Sequence, residues 1–143
     1  MSIALTVPGI SSVAKVLEID SEVHVLGSTL DNGEFERSYD IPINFSLKSN
    51  DVNLVGATLV FEVKHYTSGM ASLLTTKTTS DDSIKIVSQT PGEMSASTTL
   101  EKTLFDSLPS SNPITLSYRI RATVDGLVLP VGKGSFVSKP ESP

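Results

Sequence analysis

Few residues in this chain are of types that do chemistry, and their spacing limits what they can do. The two histidines, His24 and His65, lie far apart on alternating apolar and polar segments. Neither has a second ligand at the short spacing of a zinc site, so both read as sheet-face histidines. Asp81-Asp82 could face a hard cation, but two adjacent carboxylates lack the spaced oxygens of a calcium loop and fit a solvated turn better. Asp31-Asn32-Gly33-Glu34 is faintly calcium-like, yet Asn-Gly is first of all a hairpin turn. Gly132-Lys133-Gly134-Ser135 matches only the end of a phosphate-binding loop, and a strand rather than a helix is expected after it. No serine stands in a G-x-S-x-G elbow, and there is no cysteine to act as nucleophile, disulfide or ligand. The expectation is a protein with no catalytic residue, no metal and no cofactor, and not an enzyme.

Two groups remain as candidate subunit contacts. Arg119 and Arg121 alternate with apolar positions, which puts both on the outer face of one strand. There they can pair with acids of a neighbouring strand or of a partner chain. Ile3, Leu5 and Val7 alternate in the first residues, a pattern suited to strand pairing within the chain or with a neighbour.

The elements that must position these residues read as strands almost throughout. Val23 and Val25 alternate with polar residues, and Asp31-Asn32-Gly33 is expected to turn this strand back as a hairpin. Tyr39, Ile41, Ile43, Phe45 and Leu47 share one face; Pro42 lies on the other, which requires an edge or a bulge there. Leu59, Phe61 and Val63 mark the next strand, Ile84 and Ile86 a short one, and Met94, Ala96, Thr98 and Leu100 another. Leu116, Tyr118, Ile120 and Ala122 lead to an Asp125-Gly126 hairpin and a last strand containing Phe136. The predicted core is Ile41, Ile43, Phe45, Leu59, Phe61, Val63, Ile84, Ile86, Leu116, Tyr118, Ile120 and Phe136. Residues 66–83 read as a long loop or a β-excursion. Residues 99–108 read as one helical turn, capped by Thr99 and ended by Pro109. Short strands separated by turn signals predict an antiparallel sandwich.

At 143 residues the chain suits one domain. The net charge is −5 and the 11 basic residues are scattered along the sequence, which speaks against a nucleic-acid partner. The first residues have no basic stretch followed by a long apolar one, so no signal peptide is expected, and no run is long enough to span a membrane.

Several segments together resemble the immunoglobulin-like domains of tailed-phage virion proteins, such as the N-terminal domain of baseplate upper proteins. They are the alternating strand from Ile41 to Leu47, the L-x-G-x-x-x-x-F-x-V run from Leu54 to Val63, and the Leu108-Pro109 corner. The Tyr118 strand, the Asp125-Gly126 hairpin and the run from Gly134 to Val137 complete the order. The resemblance covers about residues 39–138. It implies an all-β, immunoglobulin-like antiparallel β-sandwich at 39–138, an N-terminal extension at 1–38 supplying added strands or an assembly arm, and a tail at 139–143. It further implies a non-enzymatic structural protein of a tailed bacteriophage virion: a head decoration, neck or tail/baseplate-associated subunit. The partners expected are other virion proteins and further copies in a homo-oligomer or symmetric assembly, with no nucleic acid and no membrane. The expected location is the virion, after synthesis in the host cytoplasm. The alternative is a cell-surface or carbohydrate-binding module on the same sandwich. It is weakened by the absence of tryptophan and by Tyr39 and Tyr118 being expected to face the core, which leaves only Tyr66 free.

Overall fold

The computed structural model describes residues 17–67, 69–108 and 112–140. Ten strands follow in order: β1 (Asp20–Val25), β2 (Ser28–Thr29), β3 (Glu34–Glu36), β4 (Ile41–Lys48), β5 (Thr58–Thr67), β6 (Met70–Thr78), β7 (Lys85–Gln89), β8 (Glu93–Leu100), β9 (Ile114–Val124) and β10 (Leu127–Lys139). They form two five-stranded sheets, β2-β1-β4-β8-β7 and β3-β10-β9-β5-β6. The pairings are antiparallel except that of β3 with β10. The fold is an immunoglobulin-like β-sandwich. Strands β1, β2 and β3, all before residue 39, are hydrogen-bonded into the two sheets.

Period-2 alternation sets the core. Ile41, Ile43, Phe45 and Leu47 of β4 face Leu59, Phe61 and Val63 of β5 and Leu116, Tyr118 and Ile120 of β9, all buried. A chain of rings crosses the interior: Phe45 meets Phe61 edge-on at 5.3 Å, Phe61 meets Tyr118 at 5.8 Å, Tyr118 meets Phe136 at 6.4 Å, and Phe136 meets Phe35 at 6.0 Å. The rings tie both sheets and the short β3 into one packed layer. Lys77 of β6 is buried and donates to both oxygens of Glu101 just after β8, pinning one sheet to the other at the open side.

Four expectations need correction. Ile86 is 42% exposed although it pairs with buried Ala96. Its face is the inner one, but β7 ends its sheet and carries a bulge at Val87, so little packs over it. Tyr39 is exposed, because β4 starts only at Ile41 and Tyr39 lies in a turn closed by its N–H on Glu36 O. The hairpin after β1 turns at Leu26-Gly27, with Val25 opposite Ser28. Asn32-Gly33 instead carries the chain from one sheet to the other, held by Asn32 N–H on Ser135 O. The helical turn is a 3-10 helix at Lys102–Ser107; Glu101 occupies its N-cap position without a side-chain bond, while Thr99 belongs to β8. Pro109 lies outside the described residues, and residues 66–83 are largely strand β6, a 3-10 turn and the approach to β7. Pro42 sits in the stretch of β4 paired only with β8, beyond the last β1 partner, Asn44. The Asp125-Gly126 hairpin forms with positive φ at both residues.

Candidate functional site: a cationic sheet face

The outer face of the second sheet gathers cations from three strands. Glu62 of β5 lies opposite Arg119 of β9, and Arg119 lies opposite Lys133 of β10. One row along, Lys64 is level with Ser117, and Ser117 with Ser135. Arg121 extends the patch on one side and Tyr66, exposed, on the other. Two small serines between long neighbours leave a concavity of about 500 Å³, lined by Glu62, Lys64, Tyr66, Arg119 and Lys133 around the Ser117 and Ser135 floor.

Local geometry explains how Lys133 arrives there. From Leu127 onward, strict alternation would turn residue 133 toward the core with Leu129. A bulge between Pro130 and Gly132 adds Val131 as an extra residue and shifts the register. Val131 stays buried, Gly132 comes opposite Ile120, and Lys133 points outward beside Arg119. The bulge is anchored by Ser21 Oγ, which donates to Val131 O at 3.0 Å. The Ser135 floor is anchored in turn by its N–H, which donates to Asp31 Oδ1 at 2.9 Å. Gly134 between them has no room for a side chain: an added Cβ would lie 2.3 Å from Asp31 Oδ1 and 2.7 Å from the Tyr118 hydroxyl.

The electrostatics are lopsided. Four cations surround one carboxylate, Glu62, whose side chain is 13% exposed. Arg121 holds Glu62 through a close contact of Nη2 with Oε1, while Arg119 Nη2 stays 3.9 Å from the same oxygen and is half-exposed. The Arg121 Nε is buried without a hydrogen-bond partner. Among the described residues, Lys64 and Lys133 make no ion pair of this kind on the face. A protein of net charge −5 thus presents a locally positive concavity. Burial, and behind it the Asp31 carboxylate, pushes the Tyr118 hydroxyl beneath this face up to about 12.

Of the candidate contacts read from the sequence, Arg119 and Arg121 lie together on this face, paired with Glu62 of their own sheet. Ile3, Leu5 and Val7 lie outside the described residues. Four of the 11 basic residues that looked scattered, Lys64, Arg119, Arg121 and Lys133, are brought together by cross-strand register. Lys64 and Lys133 were missed; the available signals were the outward parity of Lys64 beside Phe61 and Val63 and, for Lys133, the outward parity obtained by counting back from Phe136. His24 pairs with Glu22 on the outer face of β1, at 3.0 Å from Nε2 to Oε2. Asp81 accepts from Ser83, which lowers its carboxyl below the usual range. Among the described residues no group of three or more His, Asp or Glu side chains is placed to hold a metal ion.

Comparison with known proteins found no matching family model and no matching curated protein. Solved structures similar to the chain include the periplasmic chaperone SfaE, at 8% identity and a TM-score of 0.42, covering 84% of this chain and 57% of that one. The YadV chaperone is similar at 9% identity and a TM-score of 0.41, covering 85% of this chain and 53% of that one. The chain therefore spans just over half the length of each. The solved structures named are periplasmic chaperones and not virion proteins, and the expected role as a phage head, neck, tail or baseplate subunit, with its virion location, is withdrawn. The physical reason is visible in the residues that carried the resemblance. Ile41, Ile43, Phe45, Leu47, Phe61, Val63, Asp125-Gly126 and Phe136 are core and turn positions that any sandwich of this shape requires.

Proposed function

We propose that the chain is a non-catalytic protein-binding sandwich whose cationic face receives carboxylates from an extended segment of a partner protein. The observation that carries this reading is the cross-strand row Glu62, Arg119, Lys133 with Lys64 beside it, set around a serine floor. Arginine and lysine so placed recognise carboxylates, with the serine hydroxyls as further donors. A nucleic acid fits less well. Two of the four cations already share Glu62, the protein as a whole is negative, and a phosphate track needs more contacts than this concavity offers. The test is calorimetric titration with a short glutamate-rich peptide against the native protein and the double variant Lys64→Glu/Lys133→Glu. Binding that weakens with salt and vanishes in the double variant is expected. Binding unchanged by the charge reversal, or none to the native protein, would overturn the proposal.

A further inference from the structure

Resting on that reading, we infer that the preferred partner segment is extended and carries an aromatic side chain two residues from its carboxylate. The face has an unequal layout along β5. Glu62, Lys64 and Tyr66 point outward at successive alternate positions, so the rows they head are each about 7 Å apart. A carboxylate over the Ser117 and Ser135 floor is within reach of Lys64, Arg119 and Lys133. The next outward position on β5 is not a cation but the Tyr66 ring, 57% exposed. An extended peptide lying along the strands also repeats same-face side chains at about 7 Å, so an acidic residue in the first row puts its second neighbour on Tyr66. An aromatic ring there gains an offset or edge-on ring contact, and Lys64 between the two can reach both the carboxylate and the ring face. A longer spacing would carry the ring past Tyr66, and an adjacent one would point it away from the sheet.

The experiment compares three synthetic peptides, each a short repeat: Glu-Ser-Phe-Ser, Glu-Ser-Ala-Ser and Gln-Ser-Phe-Ser. Fluorescence anisotropy is read with the native protein, Tyr66→Ala and Lys64→Glu/Lys133→Glu, with circular dichroism confirming that each variant is folded. The native protein should bind the first peptide about fivefold more tightly than the second, and the third only weakly. Tyr66→Ala should erase that preference while leaving the second peptide's affinity unchanged, and the double reversal should abolish both. Equal binding of the first two peptides, lost only on charge reversal, would overturn this inference and leave the cationic-face reading standing. Failure of every peptide to bind would overturn both.

Discussion

Glu62 and Arg119 face each other across β5 and β9 with 3.9 Å between Oε1 and Nη2, while Arg121 takes the same oxygen at close range. Glu62 is thus a resident carboxylate in a site suited to carboxylates, and any acidic ligand competes with it for Arg119. Glu62→Gln removes the competing charge and keeps the shape. The affinity for a glutamate-rich peptide should rise by about two- to fivefold, the size of a half-exposed ion pair. A calorimetric affinity that falls instead would show that Glu62 orients the arginines for the ligand.

Phe61 is fully buried between Phe45 of the opposite sheet and Tyr118 of the next strand. Phe61→Ala empties the centre of the ring chain and should cost about 3–5 kcal/mol in urea unfolding. A loss below about 1 kcal/mol would mean that the two sheets collapse onto the gap.

The inner faces of this sandwich were legible because alternation alone fixes them. Phe45, Phe61, Leu116 and Phe136 lie where period 2 puts them. What alternation cannot see is where a sheet ends and where a register slips. Ile86 has the correct parity but no layer over it, since β7 is terminal. Lys133 sits outward from Leu129 only because Val131 is inserted in β10, a bulge that Pro130 signalled by the same rule applied to Pro42 but whose position and register shift the sequence does not give. The cationic face therefore depended both on the β5–β9 pairings, whose partners lie more than fifty positions apart, and on the slipped register of β9 with β10. Asn32-Gly33 misled for a related reason: a good hairpin dipeptide was used for a crossing between sheets, while the hairpin itself was made at Leu26-Gly27.

Tyr118 makes stability sensitive to alkali. Its folded pKa, pushed up to about 12 by burial first and by Asp31 second, exceeds the unfolded value of about 10. Between these values the folded chain keeps a proton that the unfolded chain has released, so stability falls as pH rises through that window and is complete below it. Tyr118→Phe should flatten the decline when unfolding free energy is followed by urea titration from about pH 9 to about pH 12. An equally steep decline in the variant would assign the effect to another group.

Gly134 tests how tightly the floor of the concavity is built. Gly134→Ala would press on Asp31 Oδ1, which accepts from Ser135 N–H, and on the Tyr118 hydroxyl. Asp31 must swing away and leave that N–H without its partner, at a cost of about 1–3 kcal/mol in thermal or urea unfolding. Gly92→Ala is the control, since its nearest neighbour, Ser49 O, is at an ordinary 3.7 Å. Equal losses at the two positions would contradict the close approach.

Two hairpins with the same turn conformation make a final comparison. Asp125-Gly126 and Leu26-Gly27 both have positive φ at their first and second residues, 51° and 79° in one, 49° and 93° in the other. This is the two-residue turn that suits the twist of antiparallel strands, and it favours Asn, Asp or Gly at its first position. Aspartate at 125 satisfies that preference. Leucine at 26 does not: its Cβ crowds the following carbonyl in the left-handed region, and at 82% exposure its side chain recovers almost nothing by burial. Leu26→Asn should therefore stabilise the fold by about 1 kcal/mol and raise the melting temperature by a few degrees. The reciprocal change, Asp125→Leu, should destabilise by a similar amount, since residue 125 is also exposed. Paired thermal melts of the two variants decide the matter. If Leu26→Asn lowers the melting temperature while Asp125→Leu leaves it unchanged, turn conformation is not what limits these hairpins, and the leucine must be stabilising the fold through contacts at the tip of β1.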